Sequence, residues 1–447
     1  MLSIGSRPEF VRVLTLRDYN TRVVLAGTTL LGFAAGVLGC FTLLRKRALM
    51  GDALSHATLP GIGLAFMFAV LAGGSGKSLP VLLAGAAVSG VLGLALILLI
   101  RNLTRLKEDT ALGIVLSVFF GAGIAVLGVV QRMGQGHAAG LESFIYGKTA
   151  SMLASDAQLI AGVAAVVLLV CVALFKEFRL ICFDADYAKS QGWPTLMLDV
   201  IMMALVIVVT VVGLQAVGLI LIIALLITPA AAARFWTERL VVMVALAGVF
   251  GAASSLVGSA LSALLPKLPS GAMIVLTATL LFLLSMFLGA ERGLLIRWAS
   301  RFRFEKKVRR QHLLRAAFEL AEGSGSPAGA LPFADLLAMR SWSAASLGSE
   351  IGSAVRDGLA IETHAGGRSI KLTRQGLREA AQVVRQHRLW ELYLITHADI
   401  APSHVDRDAD AIEHVLGPEM MAELEALLAT GHAAITIPPS PHLLEKS

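Results

Sequence analysis

Residues 23–43 read Val23-Val-Leu-Ala-Gly-Thr-Thr-Leu-Leu-Gly-Phe-Ala-Ala-Gly-Val-Leu-Gly-Cys-Phe-Thr-Leu43, and the chain continues Leu44-Arg-Lys-Arg-Ala-Leu-Met-Gly-Asp-Ala-Leu-Ser-His56. An uncharged run of this length matches the ~20 residues that cross a bilayer as a helix. In lipid every backbone group needs an internal partner, so such a run must be helical. Three cations close it, and Asp52 and His56 stand at the start of the next apolar run. Further runs lie near 54–72, 79–100, 110–131, 155–175, 196–214, 216–233, 240–262 and 271–290. Only Gln215 and a few small residues divide 196–214 from 216–233, so the sequence predicts eight or nine spans.

The composition agrees. The 447 residues leave room for two or three domains. Apolar residues make up 56% and charged residues 15%, against roughly 25% charged in a soluble domain. That excludes a disordered chain, a coiled coil and an ordinary soluble enzyme. Glycine far exceeds proline, 43 to 14, as suits helices that approach closely in a membrane. Cys40, Cys171 and Cys182 form no CxxC pair, so neither a disulfide framework nor a cysteine zinc site is indicated.

The net charge of +7 hides a split: residues 1–311 balance at +13 and residues 312–447 at −6. Only His56 and His137 precede residue 312, and the other eight histidines follow from there. Two regions with different surroundings are implied.

Cations collect on the cytoplasmic side of spans. Arg292, Arg297, Arg301, Arg303, Lys306 and Lys307 follow the last run, which puts the C-terminal region inside. Counting back through nine spans also places 45–47, 101–107, 176–189 and 234–239 inside. Lys77, Arg132, Lys148 and Lys267 remain outside. The N-terminus then falls outside despite Arg7, Arg12, Arg17 and Arg22, so residues 1–22 are expected to lie along the membrane as an amphipathic segment. They are too polar for the apolar core of a signal peptide.

Three polar features stand out in this half. Asp52 and His56 are four apart, one turn apart on one helical face. A carboxylate with an imidazole suits a borderline cation such as Mn, Fe or Zn, and ionisable groups inside spans point to function. A helix cap at Asp52 is the alternative. The second feature, Leu226 to Arg239, ends a span at Pro229 and passes through small residues into a charged turn, either a docking helix or a plain loop. The third, Phe183 to Gly192, is a polar stretch without catalytic composition. No GxxxxGK[ST] loop occurs, so a pump built on this chain takes its nucleotide hydrolysis from another.

Arg47-Ala-Leu-Met-Gly-Asp-Ala-Leu-Ser-His-Ala-Thr-Leu-Pro-Gly-Ile-Gly63, together with Gly213-Leu-Gln-Ala-Val-Gly-Leu-Ile-Leu-Ile-Ile-Ala-Leu-Leu-Ile-Thr-Pro-Ala-Ala-Ala-Ala-Arg234, resembles the permease subunits of the manganese/zinc/iron ABC importers. The resemblance covers about 20–295. It implies a bacterial inner-membrane permease pairing with a second copy or a paralogue, a separate ATPase, and an extracytoplasmic metal-binding receptor protein. It also implies that Asp52 and His56 line the metal path. Ala230, Ala231, Arg234, Phe235, Glu238 and Arg239 would couple to the ATPase.

Residues 296–311 form a basic juxtamembrane linker, suited to anionic headgroups or to simple positive-inside anchoring. Beyond it the pattern is that of a soluble domain. Helices are predicted over 308–321, 333–339 and 343–357, then a hairpin of 360–363 with 369–373, which together make a winged helix-turn-helix. Two more helices are expected over 374–397 and 408–430. On these, His387 and Glu391 share one face, and so do Asp410, Glu413 and His414. Imidazole with carboxylate again suits Mn, Fe or Zn, against the alternative of a solvated helix face.

Phe318-Glu-Leu320, Leu372-Thr-Arg-Gln-Gly376, Gln386-His-Arg-Leu-Trp-Glu391 and Asp410-Ala-Ile-Glu-His-Val415 resemble the metal-dependent repressors of the diphtheria-toxin-repressor and manganese-regulator type, over about 308–430. By position, the resemblance implies one metal site from His312, Asp410, Glu413 and His414. It implies a second from His387 and Glu391, with Asp406 contributing. His312 and Asp410 depart from the residue types usual in the iron-specific members, and His404 sits two residues from a matching position. The expected organisation is 1–22, a permease domain over 23–295, the linker 296–311, a winged-helix domain over 312–376, a metal-binding and dimerisation segment over 377–430, and a tail over 431–447. Binding to DNA is the rival reading, weakened because 341–357 holds a single cation, Arg356. A third is that the domain only supports dimerisation.

Overall fold

The computed structural model describes residues 18–45, 47–74, 78–133, 149, 152–265, 268–324, 329–364 and 367–397. The chain forms two compact units, Met1–Arg297 and Trp298–Ser447.

The first unit is a helical bundle: α1 (Tyr19–Leu44), α2 (Ala48–Leu71), α3 (Leu79–Leu103), α4 (Glu108–Arg132), α5 (Ala154–Ala173), α6 (Phe175–Phe183), α7 (Ala185–Ser190), α8 (Thr195–Val217), α9 (Leu219–Ala233), α10 (Leu240–Leu264) and α11 (Ser270–Leu288). Among the described residues eight helices are long and apolar enough to cross a membrane. The ninth apolar run, α9, is a helix of 15 residues. At 1.5 Å per residue that is about 22 Å, short of the ~30 Å hydrocarbon core.

The break before α9 is one residue wide. Gly218 has φ 87°, a left-handed conformation that favours glycine. A Cβ at Gly213 would lie 2.5 Å from the Ile222 side chain, although nine residues along a straight helix cover about 13 Å. The chain therefore reverses at Gly218, and α9 packs mainly on α1, α10 and α11.

Small residues set the centre of the bundle. Thr28 meets Ser259 at 3.1 Å between hydroxyls, Gly32 lies against Gly251, and Gly36 against Ala247. Numbers rise along α1 as they fall along α10, so the two helices are antiparallel. A Cβ at Gly32 would fall 2.4 Å from the Gly251 carbonyl oxygen, so no larger residue fits without separating the helices. Within the polar stretch 183–192, residues 185–190 form the short helix α7. The Asp184 carboxylate caps it, accepting from the Tyr187 amide at 2.8 Å, and Gly192 follows at φ 80°.

The second unit continues α12 (Leu294–Gly323), β1 (Leu331–Pro332), α13 (Phe333–Met339), α14 (Ala344–Arg356), β2 (Ala360–Thr363), β3 (Ser369–Leu372) and α15 (Arg374–His397). The basic linker is thus helical, and a short strand precedes α13 that the sequence pattern did not suggest. The antiparallel sheet has the order β1-β3-β2, with Leu331 opposite Ile370 and Ala360 opposite Leu372. Leu313, Leu314 and Ala317 pack with Leu336, Leu347, Ile351 and Ile370 in one core. This is the expected winged helix-turn-helix. Thr373 explains the Leu372–Gly376 motif: its hydroxyl accepts from the Gly376 amide at 3.0 Å and donates to the Gly358 carbonyl at 2.8 Å. The strand and the start of α15 are thereby tied together.

Candidate functional site

Helix α2 begins at Ala48, with Arg47 at its cap position. Asp52 therefore lies inside the helix, and the capping alternative for it is corrected. His56 Nε2 is 3.3 Å from Asp52 Oδ1, with side chains 17% and 31% exposed. The His56 ring meets the Phe120 ring edge-on at 4.9 Å. Its Nδ1 is buried and has no hydrogen-bond partner among the described residues. With Nε2–H donated to the carboxylate, Nδ1 keeps its lone pair. The pair thus brings together a partly exposed carboxylate and an imidazole whose far nitrogen is buried, which is donor chemistry of the kind that suits a borderline cation.

Pro60 interrupts the hydrogen-bond ladder beside this pair. A proline supplies no N–H, so the His56 carbonyl loses its usual helical donor four residues on. The helix is braced around this gap. Ser55 donates to the Gly51 carbonyl at 2.5 Å, Thr58 to the Ser55 carbonyl at 2.7 Å, and Ser89 of α3 to the Ala57 carbonyl at 2.5 Å. Proline four places after His56 was a signal visible in the sequence.

Just before Asp52, a charge cluster joins five helix ends. Arg45 Nε lies 3.0 Å from Asp199 Oδ1, and Arg47 Nη2 lies 2.9 Å from Asp199 Oδ2. Arg47 Nε is 2.6 Å from Glu108, and Arg101 reaches both carboxylates at 3.6 and 3.7 Å. Arg45 also donates to the Ile181 carbonyl at 3.1 Å. Asp199 is 2% exposed and Arg47 3%. Burying such charges is tolerable only with close pairing and extra hydrogen bonds. In the sequence these arginines mark only the side of the membrane, and Asp199 belongs to no motif; a lone carboxylate within the run 196–214 is the one signal of the cluster there.

In the predicted coupling segment, Ala230 is buried and ends within α9, Ala231 is half-buried, and Ala233 closes the helix. A turn follows, so the docking-helix alternative gives way to a loop. Phe235 faces inward: its carbonyl accepts from the Glu291 and Arg292 amides, both at 3.1 Å, and its ring packs on Phe282 at 5.8 Å. Arg234, Glu238 and Arg239 face out, with Glu238 paired to Arg292 at 2.9 Å.

In the second unit, His387 Nε2 is 3.1 Å from Glu391 Oε1, with the side chains 1% and 2% exposed. Arg315 Nη1 lies 3.0 Å from His387 Nδ1. A guanidinium can only donate, so Nδ1 accepts and the ring proton sits on Nε2, facing Glu391. His312 is held alike, with Arg340 Nη1 2.6 Å from its Nδ1. Imidazole beside carboxylate is donor chemistry that fits a borderline divalent cation. For Nε2 of His387 to bind one, its proton must move to Nδ1, where it would oppose the Arg315 donor. Metal at this pair and the Arg315 contact therefore exclude each other. Among the described residues no group of three or more His, Cys, Asp or Glu converges as a metal site. His404, Asp406, Asp410, Glu413 and His414 lie outside the described residues.

A bundle of apolar helices long enough to cross a membrane, with an ionisable pair inside one of them, has the architecture of a membrane transport protein. The chain belongs to the ABC 3 transport family, whose model matches residues 17–289. A second model, described as the metal binding and dimerisation domain of iron dependent repressors, matches residues 373–433. The manganese transport system membrane protein MntC of Bacillus subtilis is 48% identical over 309 residues, covering 69% of this chain and 70% of that one. The zinc transport system membrane protein TroC of Treponema pallidum is 43% identical over 285 residues, covering 64% of this chain and 94% of that one. Among solved structures, PsaBC from Streptococcus pneumoniae in complex with a Fab aligns with TM-score 0.55 and 34% identity, over 64% of this chain and 98% of that one.

Proposed function

We propose that this chain is the inner-membrane permease subunit of an ABC importer for a divalent transition metal, manganese, zinc or iron, with a fused cytoplasmic metal-responsive domain. The observation that carries it is the Asp52–His56 pair inside α2, 3.3 Å apart, whose far imidazole nitrogen is buried without a hydrogen-bond partner among the described residues, in a chain similar to manganese and zinc permeases. The cargo would exchange part of its water shell for the Asp52 carboxylate and the His56 imidazole. Alternating access would then release it toward the Arg45 end, which the cation distribution makes cytoplasmic.

The chain has no phosphate loop, so a separate ATPase would drive the cycle, engaging the turn from Ala230 to Arg239. Arg234, Glu238 and Arg239 would make the contact while Phe235 anchors the turn. A receptor protein would deliver the metal from outside, and a second permease copy or paralogue would complete the path. In the cytoplasmic domain, His387 and Glu391 would hold a regulatory metal, with Asp406 near them. His312, Asp410, Glu413 and His414 would form the other site. A bound cation there would supply charge and fix the separation of its ligands. The domain division follows the segments 23–295, 296–311, 312–376 and 377–430.

The test is uptake of radiolabelled Mn2+ and Zn2+ by cells that lack their own importers and express this chain with its ATPase and receptor. Saturable uptake lost in Asp52→Ala supports the reading, and uptake indifferent to that change rejects it. The winged-helix topology favours a second reading, a membrane-anchored metal-dependent regulator that binds DNA. Its helix α14 has Arg356 as its sole cation, and Glu350 on that helix pairs with Arg309 at 2.8 Å. A metal-dependent gel shift by the full chain in detergent would favour that second role.

A further inference from the structure

The first turns of α12 within the second unit read Trp298-Ala-Ser-Arg-Phe-Arg-Phe-Glu-Lys-Lys307. Trp298 is 63% exposed and Phe302 49%. The two stack edge to face, with centroids 4.4 Å apart. At about 100° per residue, Arg301 and Lys306 flank this aromatic pair on either side, Arg303 stands further round, and Lys307 falls on the opposite side of the helix. Arg301 pairs with Glu305 at 2.9 Å, both well exposed; such a surface pair is weak and exchanges readily. Arg303, Lys306 and Lys307 make no ion pair with a described carboxylate.

An exposed aromatic pair in a ring of cations is poorly suited to water, and such patches mark contact surfaces. Indole and phenyl rings favour the headgroup level of a bilayer, and long cationic side chains reach phosphate while their stems lie on apolar surface. The chain places this surface near a membrane whatever path it takes. The last span ends at Leu288, ten residues before Trp298, and an extended chain covers at most ~3.5 Å per residue. Trp298 therefore stays within about 35 Å of the end of that span.

We propose that the Trp298–Lys306 face of α12 is a binding surface for anionic phospholipid headgroups. Trp298 and Phe302 sit at the acyl boundary, and Arg301 and Lys306, with Arg303 reaching from further round, meet the phosphodiesters. Lys and Arg near an anionic surface each enrich binding roughly fivefold, so these cations give selectivity for anionic over zwitterionic lipid. This surface ties down the helix whose later turns, from Leu313, build the core of the sensing domain.

The test uses the full chain in nanodiscs containing brominated phosphatidylglycerol or, at equal mole fraction, brominated phosphatidylcholine, with tryptophan fluorescence as readout. The anionic lipid should quench several-fold more, and the excess should vanish in Trp298→Phe. It should shrink several-fold in Arg301→Gln/Lys306→Gln, which keeps every tryptophan. Should Trp298→Phe fail to fold, that double variant decides alone. Equal quenching by both lipids, or an anionic excess unchanged by the double variant, overturns the proposal and leaves the cations a role only in setting orientation.

Discussion

Asp52/His56 in α2 and His387/Glu391 in α15 are the same device by spacing, a carboxylate and an imidazole one helical turn apart, at 3.3 and 3.1 Å. Their surroundings are opposite. In the membrane bundle the second histidine nitrogen has no hydrogen-bond partner among the described residues, and Asp52 stays 31% exposed. In the second unit both side chains are almost fully buried, and Arg315 occupies the other nitrogen. The i,i+4 spacing selects a shared face. Whether that face is open to a cation is decided by what packs against it.

The largest effect that would break this contrast lies in the open pair. Asp52→Ala and His56→Ala should each lower uptake by at least the ~10–100-fold that loss of even an outer metal partner costs. Initial rates of radiolabelled metal uptake, normalised to chain in the membrane, measure this. Rates within twofold of the parent would remove the pair from the path.

Next in size is the cluster below that pair. Asp199→Ala leaves Arg45 and Arg47 without their buried carboxylate, and such a loss costs about 3–5 kcal/mol. Thermal unfolding in detergent should show a lowered midpoint. Arg301→Ala, on an exposed pair, should leave it nearly unchanged.

The closed pair gives a change of opposite sign. Arg315→Leu frees Nδ1 of His387 to take the ring proton, so Nε2 becomes available to metal. Removing a charged hydrogen bond of this kind shifts an equilibrium by about 1.5–3 kcal/mol, tenfold or more in affinity. Calorimetric titration of the full chain should show tighter binding of Mn2+ or Zn2+, and weaker binding would mean that Arg315 assists the metal.

The smallest effect is a pH dependence. Arg388 donates to Glu322, with Nη1 3.2 Å from Oε1, and this hydrogen bond holds the Glu322 carboxyl below its ordinary value of 4.5. A carboxylate depressed in the folded state stabilises above its unfolded pKa and loses that contribution as pH falls through the folded one. Glu322 is 53% exposed, so solvent screening limits the gain to about 1 kcal/mol or less. Glu322→Gln should flatten the acid side of the second unit's stability curve slightly, as read by unfolding between neutral pH and pH values below 4.5.

The sequence carried much of this. Long apolar runs can only be helices in lipid, so the bundle was legible without coordinates. The strands at 360–363 and 369–372 and the helix 333–339 emerged where turn residues and periodicity placed them. Shared faces for Asp52 with His56 and for His387 with Glu391 follow from 3.6 residues per turn. These are local consequences, because backbone geometry fixes neighbours within one element.

Contacts between elements were decided by the fold. Gly218 turns one apolar stretch into a hairpin with a short return arm. Asp199 gathers Arg45, Arg47 and Arg101 from helix ends more than a hundred residues apart in the case of the first two. Arg315 reaches His387 across 72 positions and closes a pair that spacing alone would leave open. Periodicity carries no information about partners so distant, and burial decides whether a polar group pairs with protein or with a ligand. Helical spacing settles which residues share a face; packing settles how buried those faces are and what pairs with them, because desolvation favours pairing a buried polar group with whatever the chain brings beside it, as Arg315 is brought to His387 and nothing described is brought to Nδ1 of His56.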